Sequence, residues 1–202
     1  MKLTSVFRSA TGKMMVPSFA IAFLARLMQL VMTIIAARLL LPEGYGIFTF
    51  ALGVALMGGR LGGLGWPVMV NRFIPRYSVE GKTALMHGLL RAAHGIVFLS
   101  ALVVAGLCAA TALWLGPESH LYGGMLFGSA LLPILAFRAL YRNILAALRL
   151  PQNGILIDEL LPATLTTAGL LVLLNTTIAP ETAVGIYIAG CLVAVAAGAY
   201  WI

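Results

Sequence analysis

Six long apolar stretches dominate this 202-residue chain and leave it few ways to fold. Each has about 20 or more residues, the length a helix needs to cross the hydrocarbon core of a bilayer. They cover approximately residues 16–40, 45–70, 92–115, 121–147, 154–174 and 183–202. Backbone groups in lipid must be satisfied within the segment, and the alternation of a membrane barrel is missing. The sequence therefore predicts an all-α membrane protein, a single six-transmembrane-helix bundle over residues 1–202.

The composition excludes the main alternatives to a membrane protein. Hydrophobic residues make up 61% of the chain and charged residues 9%, whereas a soluble domain is about half apolar and a quarter charged. A water-soluble globular enzyme and a disordered chain are both excluded. The basic, mixed segment 1–15 precedes an apolar run too long for the core of a cleavable signal peptide.

Cysteine and histidine give no sign of a disulfide framework or a metal centre. Cys108 and Cys191 lie far apart in apolar stretches, and the three histidines form no dense metal-binding pattern. We therefore predict no metal and no cofactor. The net charge of +7 is explained by basic loops facing anionic lipid headgroups, so nucleic acid is not an expected partner.

The distribution of basic residues predicts the orientation of the chain. Ten of them fall in segments on one side of the six spans: Lys2, Arg8, Lys13, Arg72, Arg76, Lys82, Arg91, Arg138, Arg142 and Arg149. The opposite loops hold Arg38 together with Glu43, Glu118 and Glu181. The positive-inside rule then predicts cytoplasmic N- and C-termini. The chain ends at 200–202 without a basic flank, which favours a truncated piece of a longer protein over a C-terminus at the membrane surface.

Two arginines lie inside predicted spans, where each costs about 2.5–3.5 kcal/mol on insertion scales. Arg26 is near the middle of the first span, and Gln29 and Thr33 follow it on the same helix face. This polar stripe predicts a cavity-lining surface. Arg60, past the middle of the second span, lies in the glycine-rich run 58–65, whose GxxxG pairs allow close helix packing and whose glycines, with Pro67, permit bending. Tight packing with a snorkelling Arg60 is the alternative.

A second charged group brackets the turn between the fourth and fifth spans. Arg138 and Arg142 lie four residues apart, and Asp158 and Glu159 follow the turn. They predict either an ion-pair cluster between neighbouring helices or a gate for an anionic headgroup that the acids close in one state. Adjacent helical positions are not expected to face one way, which argues against a metal-dependent enzyme acting on polyprenyl phosphates.

Three blocks of sequence resemble one family of membrane proteins. Arg26 with residues 37–46, ARLLLPEGYG, resembles the first helix and outer loop of bacterial polysaccharide-repeat flippases, with Leu41 in place of the usual glycine. Residues 71–77, NRFIPRY, are similar to the family's exit from span two, although Gly63 occupies its acidic position. The DELLP block at 158–162 is similar more loosely. These flippases belong to the multidrug/oligosaccharidyl-lipid/polysaccharide exporter superfamily.

The resemblance implies a function and a set of site residues. Family members have two six-helix lobes and carry undecaprenyl-pyrophosphate-linked sugar units across the bacterial inner membrane by alternating access. Cationic side chains in the cavity hold the pyrophosphate, which makes Arg26, Arg60, Arg138 and Arg142 the substrate-binding candidates, together with Gln29 on the polar face of Arg26. No covalent chemistry is implied, so the protein is not expected to be an enzyme. The chain has the length of one lobe, so it would be a fragment, an inactive remnant, or a partner of a second lobe or a second copy.

Two other classes of function stay open. A drug/cation antiporter of the same superfamily would use a carboxylate deep in the first span, which has none. A non-transporting membrane assembly subunit would bind a partner protein without any dependence on substrate.

Overall fold

The structure, a computed structural model, describes residues 3–119, 121–173 and 178–202, with side chains from residue 17 onward. Its helices are α1 (Leu3–Leu39), α2 (Leu41–Gly62), α3 (Trp66–Val79), α4 (Thr83–Leu115), α5 (Tyr122–Ala147), α6 (Pro151–Val172) and α7 (Pro180–Tyr200). All of them except α3 are long and apolar enough to cross a bilayer. The described ranges contain no strand. The predicted all-α bundle with six membrane spans is confirmed.

Proline marks the beginning of four of these helices. Pro42, Pro67, Pro151 and Pro180 each occupy the first or second position of their helix. A proline there loses no hydrogen bond, because the first N–H groups of a helix have no intrahelical acceptor. The boundaries of α2, α3, α6 and α7 therefore follow from local backbone chemistry.

The second apolar stretch is interrupted, which corrects the prediction of one span over 45–70. Helix α2 ends at Gly62 and α3 begins at Trp66. Between them Leu64 and Gly65 have φ angles of 45° and 76°, in the left-handed region that ends helices. The break falls in the glycine-rich run where the sequence predicted a weakened helix.

Helix α5 lies at the centre of the bundle and packs against α2, α3, α4, α6 and α7. Its most extensive packing is against α2, where glycines on both helices remove side chains that would keep the backbones apart. A Cβ on Gly59 would lie 3.3 Å from the Cβ of Leu135, and one on Gly128 would lie 2.8 Å from the Cβ of Val54. Residue numbers rise together along both helices, so α2 and α5 run parallel.

Helix α6 contains a wider π turn over Leu156–Leu160. Just before it, Gly154 packs so closely on α5 that a Cβ would lie 2.9 Å from the carbonyl oxygen of Arg142. Such π turns are uncommon and are often found at functional sites. Asp158 and Glu159 belong to this turn, and the turn lies against α1 and α5.

We expect Gly128→Ala to destabilise the protein by about 1–3 kcal/mol, the usual cost of overpacking a tight interface. The added Cβ would lie 2.9 Å from the carbonyl oxygen of Ala51 and equally close to the Val54 side chain, and one of these contacts is with backbone. Thermal unfolding of the purified protein in detergent measures the effect.

The matched control is Gly53→Ala on α2, because a Cβ there has nothing within 4 Å. This variant should unfold at the wild-type temperature or slightly above it, since alanine favours a helix over glycine. Equal midpoints for the two variants would contradict the packing described for α2 and α5.

Candidate functional site

Two adjoining cavities, of about 410 and 430 Å³, form one groove between α1, α2, α5 and α6. Both cavities are lined by Leu56, Arg60, Arg138, Arg142 and Asp158, so they lie on either side of the same side chains. We call this the arginine groove; its polar lining consists of Arg26, Gln29, Thr33, Arg60, Arg138, Arg142, Asn143, Asp158, Glu159 and Tyr187. The structure thus brings all five substrate-binding candidates onto one surface.

Helix α1 contributes the polar stripe expected from the sequence. Arg26 Nη1 donates a 2.8 Å hydrogen bond to Gln29 Oε1, and Thr33 Oγ1 donates one of 2.8 Å to the backbone oxygen of Gln29. Arg26 also reaches α6, with Nη2 3.3 Å from Glu159 Oε2. That contact has the distance of an ion pair but not the geometry of a hydrogen bond. The Arg26 side chain is 67% exposed, so α1 presents this charge on an open surface.

Arg142 binds both acids of α6 through one nitrogen. Its Nη1 lies 2.8 Å from Asp158 Oδ2 and 2.8 Å from Glu159 Oε1. The expectation that these neighbouring acids do not face one way is therefore wrong. The π turn holds more residues per turn than an α-helix, so successive side chains diverge less, and both carboxylates reach the same guanidinium.

Arg138 is the most enclosed charge of the groove, with its side chain 8% exposed. Its Nη1 donates to Tyr187 Oη at 3.4 Å and to Cys191 Sγ at 3.1 Å, and its Nη2 donates to Asp158 Oδ1 at 3.2 Å. Arg138 therefore ties α5 to α6 and α7. Its Nε is buried and has no acceptor among the described residues.

Arg60 is exposed and makes no hydrogen bond or ion pair with any described part of the chain. It lies two residues before the end of α2, rather than past the middle of a continuous span. The position of Arg60 along the bundle is better judged from its neighbours on α5. The preceding Gly59 lies beside Ala136, roughly 16 Å of helix before α5 ends at Ala147.

Helix α3 continues alongside α5 beyond the break, and Asn71 Nδ2 donates to Asn143 Oδ1 at 3.4 Å. The end of α2 is consequently not the end of the bundle. Arg60 is level with the central part of α5, beside Arg138 and Arg142 in the groove.

The groove carries more positive than negative charge. Four guanidinium groups (Arg26, Arg60, Arg138, Arg142) line it with two carboxylates. The predicted ion-pair cluster of Arg138 and Arg142 with the acids is present, but it leaves Arg60 without a counter-ion in the described chain. A cleft between apolar helices concentrates the field of such a surplus, and guanidinium groups match the oxygens of phosphates.

Metal-binding residues are not clustered within residues 3–119, 121–173 and 178–202. These ranges hold no group of three or more His, Cys, Asp or Glu able to bind a metal ion. His94 lies 2.7 Å from the Leu90 carbonyl oxygen and packs on Tyr141.

Sequence reasoning missed Tyr187 and Cys191, although their spacing of four on α7 places both on one face.

The chain matches no model of a protein family, no curated protein and no solved structure. The resemblance to polysaccharide-repeat flippases therefore stays a prediction from sequence. The chemistry of the arginine groove is the remaining indication of function.

We expect Arg138→Ala to destabilise the protein by about 1.5–3 kcal/mol, the usual contribution of hydrogen bonds to a charged group. The change removes the contacts to Asp158, Tyr187 and Cys191 that link α5 to α6 and α7, while Arg142 still pairs with Asp158. Thermal unfolding in detergent is again the measurement.

Arg76→Ala is the control, because Arg76 pairs with Glu80 at 2.8 Å outside the membrane spans. Hydrogen bonds from Lys82 and Arg76 lower the pKa of Glu80 to about 2. That pair stabilises the fold above the ordinary carboxyl pKa, and its effect is lost as the pH falls towards 2. Exposed pairs contribute little, so the midpoint should barely change at pH 7. A larger loss in Arg76→Ala than in Arg138→Ala would refute the structural role of Arg138.

Proposed function

We propose that the protein is a flippase that moves polyprenyl-pyrophosphate-linked oligosaccharide units across the bacterial inner membrane for surface polysaccharide biosynthesis. The observation that carries this proposal is the arginine groove, in which four guanidinium groups face two carboxylates and Arg60 lacks a counter-ion in the described chain. An unpaired charge among membrane helices calls for water or an anionic ligand, because hydrocarbon cannot solvate it.

The mechanism follows from the chemistry of the two ends of the substrate. The pyrophosphate and sugars enter the groove, where arginines donate paired hydrogen bonds to phosphate oxygens. The polyprenyl tail stays in the bilayer, where apolar burial costs nothing. Translocation needs binding and release on opposite sides, and none of the groove residues has to form a covalent bond.

The groove is an open surface on a six-helix bundle, so transport requires a second wall. We propose that a second lobe or a second copy of the chain supplies it. Arg26, with its exposed side chain on the open face of α1, would then face the interior of the complete cavity.

A drug/cation antiporter is less well supported. It would need a carboxylate free to exchange protons or cations, whereas both acids of the groove contact arginines. A non-transporting assembly subunit would not require a polar groove that contains Arg60 without a counter-ion.

Arg60→Ala should reduce translocation about ten- to hundredfold, since hydrogen bonds to a charged group are worth about 1.5–3 kcal/mol. The measurement is transfer of a short-chain polyprenyl-pyrophosphate glycan across proteoliposomes. Arg91→Ala is the matched control: Arg91 is also exposed and unpaired within the described residues, but it lies outside the groove. Equal loss in both variants would argue for a general charge effect and against the proposed site.

The proposed orientation places both termini and the segment between α3 and α4 in the cytoplasm. Ser78→Cys, at an exposed position of α3, should react with a membrane-impermeant maleimide only in inverted membranes. Cys108→Ala removes the half-buried native thiol, and Cys191 is buried. Reaction in intact spheroplasts would contradict this orientation.

A further inference from the structure

Glu159 connects three helices through its two oxygens. It lies in α6, its Oε1 accepts a hydrogen bond from Arg142 of α5, and its Oε2 faces Arg26 of α1. The carboxylate is buried, with a side chain 10% exposed, while Arg26 and Arg142 are 67% and 42% exposed. Both arginines are therefore accessible from the groove, whereas the Glu159 carboxylate is more deeply buried.

These contacts neutralise the arginines without using their full hydrogen-bonding capacity. Asp158 and Glu159 share a single nitrogen of Arg142. The contact between Glu159 and Arg26 lacks hydrogen-bond geometry, and Glu159 Oε2 is left buried without a donor. A phosphate group offers several charged oxygens and can bind a guanidinium through two parallel hydrogen bonds. A ligand of this kind can therefore make better contacts with Arg26 and Arg142 than the acids do.

The backbone that carries Glu159 is uncommon. The residue lies in the π turn Leu156–Leu160, and such turns are rare and often occur at functional sites. Arg60, unpaired in the described chain, is available to bind an anion beside Arg142.

We propose that Glu159 is a resident counter-ion that contacts Arg142 and Arg26 when the groove is empty and is displaced by the diphosphate of the substrate, while Asp158 stays on Arg138 and Arg142. This inference rests on the proposed function and adds a determinant of affinity to it. Part of the binding free energy is used to displace the Glu159 carboxylate, so this residue holds the affinity for the anion below its maximum. The same contacts keep the arginines from standing as bare charges between rounds of transport.

Removing the competing charge should therefore tighten binding. We expect Glu159→Gln, which keeps the size of the side chain, to lower the Kd for a diphosphate about tenfold, because one charge-assisted contact no longer has to be broken. A purely structural role predicts the opposite sign, because losing the link between α1, α5 and α6 would disorder the site. Glu80→Gln is the control, since Glu80 is also held by two cations but lies outside the groove.

The experiment measures binding of farnesyl diphosphate to the full chain in nanodiscs by calorimetry, with farnesol as the uncharged probe. Tighter binding by Glu159→Gln, with wild-type affinity in Glu80→Gln, supports the inference. Binding by the wild type with equal or weaker binding by Glu159→Gln overturns it and leaves the flippase proposal intact. Binding by neither protein overturns the flippase proposal itself.

Glu159→Asp serves as a second variant if Glu159→Gln does not give folded protein. It keeps the charge but shortens the side chain by one methylene group, so the carboxylate holds Arg26 and Arg142 less closely. A lower Kd than that of the wild type is again expected, and an unchanged or higher Kd in folded Glu159→Asp would reject the displacement of Glu159.

Discussion

The solvation of four guanidinium groups among apolar helices is the constraint on which this structure depends. Each arginine in a membrane helix is costly unless it meets an opposite charge, a polar partner or water. Asp158 and Glu159 provide opposite charges for three of the four arginines: Arg26, Arg138 and Arg142. Arg60 has no such partner in the described chain, so its charge has to be solvated by water or an anion in the groove.

Close helix packing determines how these charges meet. Glycines at the interface of α2 and α5 bring the two backbones together and fix their register, so Arg60 lies level with the central part of α5. The π turn of α6 then directs both acids towards Arg142. The tight apolar interface and the open polar groove are therefore parts of one arrangement, and overpacking the first would misplace the second.

Features with local causes were predictable from the sequence. The spans follow from the length of the apolar stretches, and the stripe of Arg26, Gln29 and Thr33 follows from helical spacing. The glycine-rich run indicated a weak point in the second stretch but not that α2 would end at Gly62. A hydropathy pattern alone cannot distinguish a bend from a break.

Features that depend on contacts between distant segments could not be predicted. Arg138 contacts Tyr187 and Cys191, which lie 49 and 53 residues further along the sequence, and no local pattern predicts that contact. The convergence of Asp158 and Glu159 depends on a π turn, which the rule for α-helical neighbours does not anticipate. Whether the five candidate residues bind a substrate stays a prediction, although they share one groove.

The most direct test of the central claim measures whether water fills the groove. Leu56 and Met57 are neighbouring apolar residues of α2, 52% and 74% exposed, but only Leu56 lines the groove. Spin labels at Leu56→Cys and Met57→Cys, in a Cys108→Ala background in liposomes, report collisions with a water-soluble nickel complex and with oxygen. A wet groove predicts more nickel collisions at position 56 and more oxygen collisions at position 57. Equal, oxygen-dominated collisions at both positions would show that the arginines border lipid.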